Sequence, residues 1–257
     1  MDVAGTILRM YRVAKDLETC AILVNVVTWA LIMEKKGRAL VVPQVDPRLL
    51  LSYRLDDALG TLIDGREQLL EISCASSPIS KDEVVRILGR SKAKVRDLVE
   101  VYREVLSRCP GNYHTAGMIV DVDLQEVVYA LSTGGSPFPG LKNVLFDLEN
   151  QGADIYVASG DSMRSLASLK EFGIDMSRVY PTSGPRRKKE IIVDLKKRYH
   201  QVVMVGDGLN DLYALRAADL GILTVQQDTR PTMKLLLAAD KIITDIKELP
   251  KILVNNC

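Results

Sequence analysis

Val203-Met204-Val205-Gly206-Asp207-Gly208-Leu209-Asn210-Asp211 decides the fold. The apolar run at 202–205 reads as a buried strand. It ends in Gly-Asp-Gly, which demands a tight turn. Leu212, Leu215 and Ala218 then follow at near-helical spacing. Asp207 and Asp211 therefore sit where a strand hands over to a helix, the edge of an open α/β sheet at which ligands bind. Two carboxylates and the Asn210 amide make an oxygen-rich set suited to a hard cation such as Mg²⁺. A polar turn with a helix cap is the plainer alternative for either Asp alone. The nine residues together favour a site.

Working outward, composition bounds the rest. The chain has 257 residues, 47% of them hydrophobic and 26% charged, enough for one large domain or two small ones. Its net charge of +1 implies no nucleic acid or other polyanion as partner. Cys20, Cys74, Cys109 and Cys257 show no Cys-x-x-Cys spacing, and with two His this argues against a zinc site. Such cysteine usage fits a reduced, cytoplasmic setting better than a disulfide framework. The apolar run at 20–33 is only 14 residues long and contains Asn25 and Thr28, too short to span a bilayer. Asp2 and Asp16 break any signal-peptide pattern ahead of it. No membrane partner is expected.

The opening stretch resembles the rest of a known pattern. Gly-Asp-Gly-x-Asn-Asp at 206–211 is similar to the last motif of the haloacid-dehalogenase (HAD) superfamily, in the form found in P-type ATPases and their soluble relatives. Asp2-Val3-Ala4-Gly5-Thr6-Ile7-Leu8 resembles the superfamily's nucleophile motif, Asp-x-x-Gly-Thr-Leu. The Asp usual two places after the nucleophile is Ala4 here, as P-type ATPases also lack it. Residues 155–158 read as a buried strand ending in Ser159-Gly160-Asp161, similar to the second motif, and a helix start after it would seat a phosphate. A simple Ser cap is the plainer alternative. Pro185-Arg186-Arg187-Lys188-Lys189 precedes a helix carrying Ile191, Ile192 and Leu195. The family's Lys lies near this position, with Lys188 the better match and Lys189 the fallback. Ala217-Ala218-Asp219 and Ala238-Ala239-Asp240 also resemble P-type phosphorylation domains. The layout is similar to that of small archaeal soluble P-type-ATPase-like phosphatases, a complete membrane-embedded pump not being expected.

The resemblance implies an α/β fold, a HAD-like doubly wound parallel sheet, and the alternation of strands and helices after 211 agrees. It implies a core at 1–9 and 115–257 and an inserted small α/β cap at 10–114. Within the cap, 38–42 reads as a strand closed by Pro43, and 49–62 as a helix. Ser80-Lys81-Asp82-Glu83 reads as a capping box. Val95, Leu98, Val99, Tyr102, Val105 and Leu106 mark an amphipathic helix that Cys109-Pro110-Gly111-Asn112 ends. Lys35-Lys36-Gly37-Arg38 reads as a solvated loop. Met118-Ile119-Val120-Asp121-Val122-Asp123 offers a second candidate nucleophile. No Gly-Thr follows it, however, and apolar alternation resumes at Val127, so 121–125 reads as a hairpin turn.

By resemblance the chain is a Mg²⁺-dependent phosphohydrolase acting on a small phosphorylated substrate or nucleotide. Asp2 would form an aspartyl phosphate. Asp2, the Ala4 carbonyl, Asp207 and Asp211 would hold Mg²⁺, and Ser159 and Lys188 would stabilise the phosphoryl oxygens. Gly5, Gly160 and Asn210 would line the phosphate seat, with Thr6 steadying its loop and Asn210 and Asp211 orienting the metal shell or Lys188. A non-catalytic binding protein of the same fold is the alternative, motivated by Ala4 and by the lack of a strand before Asp2. A central strand needs about five residues, so the native protein is expected to start upstream with an apolar run. Failing that, 118–122 would be the first candidate to fill the slot.

Overall fold

β1 (Leu8–Asp16), β2 (Ile22–Val24), β3 (Arg38–Pro43), β4 (Leu70–Ala75), β5 (Tyr113–Asp121) and β6 (Glu126–Pro137) form one sheet in the computed structural model, in the order β2-β1-β6-β5-β3-β4. The structure describes residues 1–65, 67–111, 113–227 and 230–254, so Asn112 and Cys257 lie outside the described residues. The chain divides into two units, 11–135 and the combination of 1–10 with 136–257.

In the first unit α2 (Lys81–Arg90) and α3 (Val95–Arg108) supply the apolar faces, while α1 (Thr28–Met33) is a short helix ahead of β3. Ser80 accepts from the Glu83 N–H and starts α2. Five of the six α3 positions picked out by spacing are buried, and Leu106 is partly buried against the same core. They join Val84, Ile87 and Leu88 of α2 and Val41, Met118 and Val120 of the sheet in one core. Lys15 of β1 is buried and pairs with Asp97 and Glu100 of α3 at 2.8 and 2.6 Å. That burial is tolerable because the ammonium keeps charged partners.

Three expectations change here. The helix at 49–62 is two short 3₁₀ turns, Pro47–Ser52 and Leu59–Leu62. Between them the carbonyls of Leu55 and Asp57 accept the N–H groups of Arg96 and Val95, which draws the backbone out of a helix. Lys35 and Arg38 are not simply solvated, for both reach the buried Asp121 carboxylate, at 3.0 and 3.6 Å. The domain boundary at 114/115 also differs. It falls inside β5, and β5 and β6 pair antiparallel across the expected turn, so the hairpin belongs to the inserted unit up to residue 135. Residues 118–122 are thereby engaged between β3 and β6 and fill no slot elsewhere.

The second unit alternates α4 (Leu141–Asn150), β7 (Val157–Ala158), α5 (Met163–Leu166), β8 (Val179–Tyr180), α6 (Pro185–Lys196), β9 (Val203–Gly206), α7 (Leu212–Ala217), β10 (Leu220–Thr224), α8 (Met233–Leu236), β11 (Lys241–Ile243) and α9 (Leu249–Val254). The strands are parallel: β7 with β8, and β9 with β10 with β11. Met1 and Asp2 join the two groups. The Met1 nitrogen donates to the Tyr156 carbonyl at 2.7 Å, the Met1 carbonyl accepts from Ala158 at 3.0 Å, and the Asp2 N–H donates to Val205 at 2.9 Å. The order is therefore β8-β7-Met1/Asp2-β9-β10-β11, the doubly wound parallel arrangement read from the sequence. The two Ala-Ala-Asp stretches have one job each. Asp219 accepts from Val202 N–H at the entry to β9, and Asp240 from Gly221 N–H in β10.

Candidate active site

The turn after Asp2 is wound tightly. The Val3 carbonyl accepts from Ile7 and Leu8, and the Gly5 N–H donates to Leu8. Gly5 has φ +70°, and a Cβ there would run into the Asp207 carboxylate. Glycine is thus required both for the left-handed backbone and for the close approach. Gln226 holds the turn from β10's far end. Its amide donates to the Thr6 carbonyl at 2.8 Å, and its oxygen accepts from Ile246 N–H. The Thr6 hydroxyl is fully buried and has no hydrogen-bond partner.

Lys188 is the centre of the cluster. It lies in the first turns of α6 and is buried, its ammonium donating to Asp2 Oδ1 at 2.6 Å and to Asp211 Oδ1 at 2.7 Å. Burial pulls the ammonium down, but the charges of Asp2 and Asp211 outweigh it and hold Lys188 above the ordinary lysine range. Asp211 is pushed up to about 6, first by burial and then by the charge of Asp2, against the pull of Lys188 and of the Gly208 N–H. Its second oxygen accepts from the N–H groups of Asp207 and Gly208 at 3.1 and 3.3 Å. A Cβ at Gly206 would overlap this carboxylate, so the strand must end in glycine.

Asp2, Asp207 and Asp211 each bring a carboxylate oxygen within 4.8 Å of the others. Three crowded carboxylates against one ammonium, with hard oxygen donors and a glycine cradle, fit a hard divalent cation. Ser159 ends β7 and is buried. Its hydroxyl donates to Asp161 Oδ2 at 2.8 Å and accepts from the Asp161 N–H, closing a small turn.

Asp2, Gly5, Asp207, Asp211 and Lys188 therefore come together, and Ala4 and Thr6 lie in the turn they share. Asn210 and Gly160 are exposed. Lys189 is exposed too, facing away from the carboxylates that hold Lys188. Asp121 sits in the other unit, where it accepts from the N–H groups of Asp123 and Leu124 and closes the β5–β6 turn. Gln226 went unread in the sequence, since nothing local marks a residue that acts on a turn 220 positions away. Asp161 is present in the motif, but its carboxylate contact to Ser159 follows only from the turn.

Comparison with known proteins gives the family of the chain. The sequence profile of haloacid dehalogenase-like hydrolases matches residues 57–219. A soluble P-type ATPase-like phosphatase of Methanocaldococcus jannaschii is 30% identical over 250 residues, covering 96% of this chain and 89% of that protein. A probable copper-importing P-type ATPase of Enterococcus hirae is 35% identical over 82 residues, 32% of this chain and 11% of that one. Among solved structures, the catalytic domain of the CPx-ATPase CopB-B is 28% identical over 53% of each chain, with a TM-score of 0.44. No helix among the described residues is long and apolar enough to cross a membrane. With the profile spanning more than half of the chain and the archaeal relative nearly all of it, the chain belongs to the haloacid dehalogenase-like hydrolases.

Proposed function

We propose that this hydrolase is a phosphohydrolase working through a phosphorylated Asp2. The observation that carries the reading is the buried Lys188 ammonium bridging Asp2 and Asp211 beside the Asp207 carboxylate. An Asp2 oxygen attacks phosphorus, and the bond from phosphorus to the leaving-group oxygen breaks with its electron pair on that oxygen. Water then attacks the acyl phosphate, releasing phosphate and restoring Asp2. Lys188 orients Asp2 and offers positive charge to the phosphoryl oxygens as negative charge develops there. The partnerless Thr6 hydroxyl, the Gly160 N–H and the Ser159 hydroxyl, once Ser159 gives up its bond to Asp161, would be donors for the same oxygens.

Asp2, Asp207 and the Ala4 carbonyl would hold Mg²⁺, which when bound supplies charge neutralisation at the phosphoryl group. Asp211, with one oxygen on Lys188 and the other on the 207–208 turn, places these groups rather than ligating. The substrate class is a small phosphate ester or anhydride, in keeping with the phosphatase name of the archaeal relative.

Phosphate release from nitrophenyl phosphate with Mg²⁺, together with trapping of a hydroxylamine-labile phosphoenzyme, tests the reading. Asp2→Asn should abolish both. Asp121→Asn should lower stability, because it unpairs Lys35 and Arg38, yet leave turnover per folded molecule near wild type. The reverse pattern would sink the assignment.

A further inference from the structure

Gln226 and Gln227, just past the end of β10, hold the segment from Gly5 to Met10 at both ends. The Gln226 amide donates to the Thr6 carbonyl at 2.8 Å and to the Gly5 carbonyl at 3.5 Å, while its oxygen accepts from the Ile246 N–H at 3.0 Å. The Gln227 oxygen accepts from the Met10 N–H at 2.9 Å, and its amide donates to the Met10 carbonyl at 3.4 Å. Each side chain uses a donor and an acceptor together, as a peptide group of a neighbouring strand would. The pair is itself fastened. The Gln226 N–H donates to the hydroxyl of the buried Thr224 at 3.4 Å, and the Val225 N–H donates to the Ile243 carbonyl at 2.9 Å.

The segment so held is where the chain leaves its unit. Met10 is the last residue before the insert at 11–135, and Ser136 is the first after it. The returning chain is tied to the same segment, for the Phe138 N–H donates to the Ile7 carbonyl at 3.2 Å and the Arg9 guanidinium lies over the Phe138 ring at 5.5 Å. Only Ile7, Leu8 and Arg9 separate Thr6 from Met10. Without a tie at Met10, a displacement of β1 would pass straight into the turn after Asp2. Gly5 already abuts the Asp207 carboxylate, so a displaced turn would alter the spacing of Asp2 and Asp207. Neutral amides hold the turn without adding charge beside three carboxylates. A glutamate at 226 would instead set a negative oxygen against the Thr6 carbonyl.

We propose that Gln226 and Gln227 are positioning residues for the reaction of Asp2. Together they form a brace that fixes the turn carrying Gly5 and Thr6 and isolates it from movements of the chain at 11 and 135. The inference rests on the proposed role of Asp2 as nucleophile. Neither glutamine touches the reacting atoms. Both act through the backbone of the turn, Gln226 directly and Gln227 by holding the strand that continues it.

Gln226→Met keeps the length of the side chain and removes its hydrogen bonds, and nitrophenyl phosphate with Mg²⁺ gives kcat and KM. A misplacement of about 1 Å costs about 10²-fold, so Gln226→Met should lower kcat by about 10–100-fold with KM within about twofold of wild type. Amide exchange at Ile7 and Leu8, whose N–H groups close the turn on Val3, should quicken in the same variant without metal or substrate. Asp240→Ala is the control, since it also removes a side-chain tie to the backbone near β10. It should lower Tm without lowering kcat or quickening exchange at Ile7 and Leu8. If Gln226→Met does not fold, Gln227→Met carries the same test with the same expected directions. A kcat that falls no further than in Asp240→Ala, or exchange at Ile7 and Leu8 that stays unchanged, would overturn the brace while leaving the reading of Asp2 intact. A wild type without turnover or a trapped phosphoenzyme would overturn both.

Discussion

Lys188 and Lys189 are adjacent in sequence and opposite in fate. One is buried on two carboxylates and the other is exposed. Successive helix positions point about 100° apart, so a one-residue shift separates a site from solvent. The sequence offers a basic cluster and the apolar spacing of α6, which locate the helix. Which lysine turns inward depends on where Asp2 and Asp211 arrive from distant segments. Asp211 carries the pH signature of the cluster. Its folded-state value of about 6 lies above the unfolded carboxylate range, so the folded protein holds an extra proton between roughly pH 4 and 6. That contribution is complete below the lower value and is lost as pH rises through the upper one. In metal-free protein, the Tm of wild type minus that of Asp211→Asn should therefore be larger at pH 5 than at pH 7. Saturating Mg²⁺ should flatten the difference, because a cation favours the ionised carboxylate. A difference that grows toward pH 7 without metal would contradict the origin given for Asp211's shift.

At the scale of elements, Asp219 and Asp240 do the same work one strand apart, each closing a crossover by accepting from an N–H of the neighbouring strand. Asp240→Ala should cost about 1 kcal/mol, lowering Tm by about 2–4 °C, with kcat unchanged per folded molecule. A loss of kcat without a loss of Tm would tie Asp240 to chemistry instead. These crossovers were legible because a short apolar run, a turn and helical spacing follow one another without interruption. The insert was harder to read. β1 is buried along most of both faces, so it shows no alternation to mark it. The apolar run Leu49-Leu50-Leu51 reads as the start of a helix, yet Leu49 and Leu51 are half exposed in a 3₁₀ turn that the Asp46 side chain starts. β5 and β6 read as a hairpin, but their place in the unit 11–135 follows from pairing with β3, which cannot be inferred from periodicity.

For the molecule as a whole, the proposed reaction through Asp2 turns on the position two residues after it. Ala4 has no proton to give a departing oxygen, and general acid help is worth about 10²–10⁴-fold. Hydrolysis should favour leaving groups that depart as stable anions, such as nitrophenolate or a nucleoside diphosphate, over alkyl phosphates. Equal kcat/KM on nitrophenyl phosphate and a sugar phosphate would show that another group, Asp161 being the nearest carboxyl to Ser159, delivers the proton. The overall architecture was readable because three motifs mark three strand ends that a parallel sheet must bring to one edge. The shape of the insert, and any selectivity it imposes, follows from pairings that leave no local trace.

The balance of charge around Lys188 carries one more consequence. Three carboxylates against one ammonium leave the pocket two charges negative when all are ionised. A phosphate dianion approaching it meets repulsion, and in a buried setting little salt is present to screen this. On the proposed reading, traffic into the site would have a sequence: cation first, phosphate second. Enzyme incubated with Mg²⁺ before substrate should start at its full rate. Enzyme incubated with substrate alone should start no faster than enzyme that has seen neither, since no substrate is waiting in place. Excess substrate that sequesters free Mg²⁺ should slow the reaction, and added Mg²⁺ should restore it.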